Sequence, residues 1–83
     1  MERYLASDIL GILHGAIKPL TLTKLNRRLS RRGVRVTLPA LKGYIWALRD
    51  LGYLEVRRTR RGYEIKISSA GKLRLEEIEN EVV

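Results

Sequence analysis

The chain has 83 residues, of which 45% are hydrophobic and 31% charged, and it carries a net charge of +8 at pH 7. That length gives room for one domain, residues 1–83, with one modest core, because a chain of this size buries only about 60–65% of its unfolded surface. No apolar run reaches the roughly 18 residues of a membrane span, and Met1-Glu2-Arg3-Tyr4 lacks the basic-then-apolar order of a signal peptide, so a cytoplasmic chain without a membrane partner is expected.

The absence of cysteine removes disulfides, thiolate metal sites and thiol nucleophiles together. Glutamine is also absent and asparagine occurs only at 26 and 80, a composition that leans toward a thermophilic source.

Leu5, Ile9, Ile12, Leu13 and Ala16 recur at helical spacing, which predicts a first amphipathic helix over about 4–15, ended by Gly15 and by Pro19 beyond it. Thr21 is the expected N-cap of a second helix, since its hydroxyl can accept a bond from an otherwise unpaired amide. Leu22, Leu25 and Leu29 form the buried stripe of that helix, Arg27, Arg28, Arg31 and Arg32 are left toward solvent, and Gly33 supplies a left-handed stop. Thr37 caps a third helix, about 37–51, with Pro39 in its first turn. Leu38, Leu41, Ile45, Leu48 and Leu51 are its expected inner face, and Gly52 ends it.

After Gly52 the period changes from helical to two. Leu54 and Val56 alternate with Glu55 and Arg57, and Tyr63, Ile65 and Ile67 alternate with Glu64 and Lys66, the pattern of two half-buried antiparallel strands joined at Thr59-Arg60-Arg61-Gly62. Ser68-Ser69 can cap a last helix whose apolar stripe is Leu75, Ile78 and Val82.

Charge is distributed as unevenly as the pattern. Between Asp8 and Asp50 lie nine bases and no carboxylate, whereas the remainder of the chain is nearly balanced. A field of one sign on half of a small domain concentrates polyanions, and nucleic acid is the commonest of these in a cell.

The run Leu48-Arg49-Asp50-Leu51-Gly52-Tyr53-Leu54 resembles the end of a recognition helix and the first wing strand of a winged helix-turn-helix. Tyr63-Glu64-Ile65-Lys66-Ile67-Ser68-Ser69-Ala70-Gly71 resembles the second wing strand and the following helix start, as in small PadR-like and MarR-like regulators and many archaeal proteins. The resemblance spans nearly the whole chain. It implies an α+β winged helix-turn-helix with a three-helix core, a two-stranded β wing and a C-terminal helix. It also implies that the third helix enters the major groove of double-stranded DNA, that the wing touches the backbone, and that terminal helices make a homodimer.

Three groups of side chains are the candidate DNA contacts. Arg27, Arg28, Arg31, Arg32 and Arg35, at the end of the second helix and in the turn, present guanidinium forks of the kind that bind phosphate oxygens. Arg57, Arg58, Arg60 and Arg61 crowd the hairpin tip, where they touch nucleic acid or simply discourage edge-to-edge sheet association. The third group lies on the outer face of the third helix, which carries Pro39, Lys42, Gly43, Trp46 and Asp50 with Tyr44 and Arg49 at its margins, and Thr37 at its start. A single lysine, an acid and an indole are poor base readers, which leaves two uses for Trp46, packing or an interface.

Catalysis has little support. His14 stands alone, and Glu76, Glu77, Glu79 and Glu81 cluster without a second ligand type, so no enzyme activity, cofactor or metal is expected. The reading is a dimeric, DNA-binding regulator of transcription. Two rivals stand beside it: a protein-interaction module built on Trp46, and an architectural DNA coater without a specific site.

Overall fold

The computed structural model describes residues 3–81. The elements in chain order are α1 (Arg3–Gly15), β1 (Leu20–Thr21), α2 (Leu22–Arg31), α3 (Leu38–Asp50), β2 (Leu54–Thr59), β3 (Gly62–Ile67) and α4 (Ser69–Glu81). The strands form one antiparallel sheet in the order β1-β3-β2.

Local chemistry sets the boundaries. The Thr21 hydroxyl accepts the Lys24 amide at 3.3 Å and the Thr37 hydroxyl accepts that of Ala40 at 3.3 Å, so both threonines are N-caps. Gly33 and Gly52 follow α2 and α3 with φ of 81° and 85°, a region that side chains with a Cβ avoid. Beyond each glycine the chain folds back, with Val34 donating to the Leu29 carbonyl and Tyr53 to that of Leu48, both at 2.9 Å, which satisfies carbonyls the helix leaves unpaired.

The sheet has one strand more than the expected two-stranded wing. Leu20 pairs with Ile65 and Thr21 with Glu64, so Thr21 both ends a strand and caps a helix. Two residues are too few to display a period of two.

The core contains Ile9, Leu10, Leu25, Leu29, Leu41 and Ile65 at full burial, closed by Leu13, Leu20, Ile45, Leu48, Leu54 and Ile67. Leu10 joins this core although it lies off the expected α1 stripe, because α1 is covered by α2, β3 and α4 together. Leu38 and Leu51 do not belong to the inner face of α3: they are 43% and 63% exposed. Each sits at a helix end and roughly 60–80° around the axis from Leu41, beyond the reach of the core. Leu41→Ala or Leu48→Ala should therefore cost about 3 kcal/mol by chemical denaturation, as truncations in a closed core.

Leu75 and Ile78 of α4 are 6% and 5% exposed within the single chain, and Leu5, Ile9 and Ile12 of α1 are buried with them. The stripes of α4 and α1 thus cover one another within a single chain. Val82, the last member of the expected stripe, lies outside the described residues.

Candidate nucleic-acid interface

The expected site residues separate into two groups on different flanks. The first is organised by an aromatic pair between α3 and the hairpin. Trp46, half-buried on α3, meets Tyr63 of β3 edge to face, with ring centroids 5.3 Å apart and planes at 82°. Tyr63 shares a sheet face with Ile65 and Ile67, so its ring turns toward the helices.

Cations gather over these rings. Arg49, one turn along α3 from Trp46, lies 4.8 Å from the indole centroid. Lys42 and Arg58 lie 5.3 and 5.9 Å from the Tyr63 centroid, Arg58 coming from the position directly opposite Tyr63 on β2. Each such contact contributes about 0.5–1 kcal/mol at an exposed site. The larger effect is positional. Three exposed charges are held over two rings at the seam between α3 and the hairpin, which restricts the freedom each side chain would otherwise have.

The second group lies along α2. The Asn26 side chain donates to the Val36 carbonyl at 2.7 Å and so faces the turn into α3. Arg28 and Arg31 stand roughly 140–200° around α2 from Asn26, on the side of α1 and the α1–β1 loop. There they line a trough against Gly11, Ile12 and Gly15, joined by Arg32, which approaches Asp8 at 3.7 Å. Sequence alone shows five arginines within nine positions; it does not show that three of them turn away from α3.

Other candidates are placed as follows. Thr37 acts as a cap, Tyr44 packs partly buried against the core, and Gly43 is exposed on α3 with open space above it. Arg57 pairs with Glu64 across the strands at 3.2 Å. Arg27, Arg35, Arg60 and Arg61 are exposed, and their side chains have no ion pair among the described residues. Tyr63 was not among the expected site residues: its alternation with Ile65 marks it as core, and nothing local places it beside an indole 17 positions away. His14 is exposed at the end of α1, and no group of metal-ligating side chains occurs among the described residues.

No protein-family profile matches the chain, and no curated protein matches it. Solved structures do. The winged-helix DNA-binding protein F93 from STIV superposes with a TM-score of 0.85 at 21% identity, over 96% of this chain and 88% of that one. Wild-type MarR from E. coli, in its apo form, superposes with a TM-score of 0.77 at 23% identity, over 92% of this chain and 54% of that one. The chain has the winged-helix fold. The present protein thus spans about half the length of MarR. In winged-helix terms α2 and α3 are the helix-turn-helix, β2 and β3 are the wing, and the aromatic pair joins α3 to the wing.

Gly43 makes this face testable without touching a charge. Gly43→Ala on an exposed helix interior should raise stability by up to about 1 kcal/mol, since nothing lies within 4 Å of the added Cβ. If α3 seats in a groove, the same methyl should weaken duplex binding. Paired melting and binding curves on this variant check both signs.

Proposed function

We propose that the winged-helix protein binds double-stranded DNA, with α3 in the major groove and the wing on the adjacent backbone, and that it regulates transcription. The observation that carries this reading is the gathering of Lys42, Arg49 and Arg58 over the Trp46–Tyr63 pair. Arg60, exposed at the wing tip, adds a further charge available to the backbone. With one lysine and one arginine on the outer face of α3, contacts to phosphates outnumber contacts to bases, so sequence preference is shallow and affinity is electrostatic.

The proposal includes one domain over 1–83, no catalysis and no cofactor, residence with the chromosome in the cytoplasm, and pairing of two chains. For the pairing, Leu73 on α4 offers an exposed apolar side chain at 61%. A two-fold pair sets its recognition helices about 34 Å apart, one turn of DNA. Among the described residues no helix is long and apolar enough to cross a membrane.

The rival use of Trp46 as a protein anchor fits less well, because Tyr63 covers one side of the indole and Arg49 another. Titration with a random-sequence duplex tests the reading. The log of the affinity should fall linearly with log salt, by about 0.9 per phosphate contact, and Trp46, the only tryptophan, should change its emission on binding. No binding at low salt, or binding without a salt slope, would remove DNA as the ligand. Binding with unaltered indole emission would move the interface off α3.

A further inference from the structure

We propose that the flank built from α2, the α1–β1 loop and the wing tip is a second phosphate-binding track, which takes the backbone of a second DNA duplex so that the protein bridges two duplexes. The proposal rests on the DNA-binding reading above and adds a site to it.

Lys18 of the α1–β1 loop, Lys24 and Arg28 of α2 and Arg61 of the wing tip line one cleft of about 540 Å³. Its one carboxylate, Glu64, is occupied by Arg57 at 3.2 Å. None of the four cations has an ion pair among the described residues. Four unneutralised charges converging on one cleft repel one another, a cost that an anionic ligand reverses. Arg28 is shared with the adjoining trough of about 440 Å³, where Arg31 forms a wall and α1 presents Gly11 and Gly15. The two depressions are therefore one basic track with Arg28 at its middle.

The track does not belong to the α3 face. Glu64 and Tyr63 are neighbours in β3 and point to opposite sides of the sheet, so at the wing the cleft opens away from the Trp46–Tyr63 pair. On α2 the same result follows from Lys24, Arg28 and Arg31, which share a face at i, i+4 and i+7, away from the Asn26 side that meets the turn into α3.

The spacing fits a nucleic-acid strand. Lys24 to Arg31 covers about 10 Å of helix, equivalent to about three base-pair steps of 3.4 Å along a duplex axis. An open, extended row of single charges suits such a strand, whereas a small free anion requires donors closed around one point. The short axes of the protein measure 26 and 23 Å. Repulsion between a duplex on each flank is screened beyond the Debye length of about 8 Å at physiological salt.

The test uses the full chain, one short duplex fixed to beads and a second, labelled duplex in solution. The wild-type protein should retain the labelled duplex on the beads. Lys24→Gln with Arg28→Gln and Arg31→Gln, all exposed, should keep the wild-type melting temperature and single-duplex binding while retention of the labelled duplex falls on the order of tenfold. If the wild type binds a single duplex and retains no second one, the track is refuted and the DNA reading survives. Equal retention by the variant would assign bridging to pairing of chains and refute the track as well. Loss of single-duplex binding in the variant would merge the two flanks into one interface, again overturning the proposal. If the wild type binds no duplex at all, the reading beneath it fails too.

Discussion

Gly71→Ala should be among the most damaging single-methyl additions in this protein, at about 4 kcal/mol. In an exposed helix this change gains up to about 1 kcal/mol. Here the sign reverses, because the new Cβ would collide with the Tyr53 carbonyl oxygen and come within 2.7 Å of Ile67 Cγ1. The carbonyl is backbone and cannot swing aside as a side chain would. It also accepts the Ser68 amide at 3.1 Å. Ser68 in turn caps α4 by accepting the Gly71 amide at 3.0 Å, and its hydroxyl donates to the Gly52 carbonyl. One methyl thus presses on the bonds that seat α4 against the turn after α3. A fall in melting temperature on the order of 15–30 °C follows for a domain of this size. A melting temperature equal to wild type would mean that α4 starts farther from Tyr53 than this packing places it.

The junction at Gly71 also shows where sequence reading reaches its limit. The Ser68-Ser69 cap is legible, since serine before an amphipathic run has a local reason. The need for glycine three positions later is not, because it arises from Tyr53, a residue 18 positions earlier. The same division runs through the chain. Thr21, Gly33, Thr37 and Gly52 act over one helical turn and are visible as letters. Leu41, Ile45 and Leu48 declare a face by repetition, while Leu38 and Leu51 match that repetition and are exposed, since periodicity does not say where the core stops. The candidate site was legible as a set of charges on α2, α3 and the wing. Its partition was not, for the flank that each arginine of α2 occupies depends on where α1 and the wing come to lie.

That partition gives the largest expected effect on binding. Lys42→Gln, Arg49→Gln and Arg58→Gln, combined, remove three exposed charges and keep side chains long enough to cover the rings. The loss of three cation–π contacts costs up to about 3 kcal/mol of stability, and less where the contacts are solvated, so a melting curve comes first. If each charge meets a phosphate, the slope of log affinity against log salt should shrink by about 2.7, at about 0.9 per contact. Six to ten phosphate contacts are worth about 10³–10⁵ in affinity between 50 and 200 mM salt, so removing three should cost at least on the order of tenfold within that range. Arg57→Gln serves as the comparison, because Arg57 is engaged by Glu64 and its loss should leave the slope nearly unchanged. The opposite pattern, a slope untouched by the triple variant and flattened by Lys24→Gln with Arg28→Gln, would place the principal interface on the α2 flank. The Trp46–Tyr63 pair would then be packing between helix and wing, and its attendant cations an incidental coat.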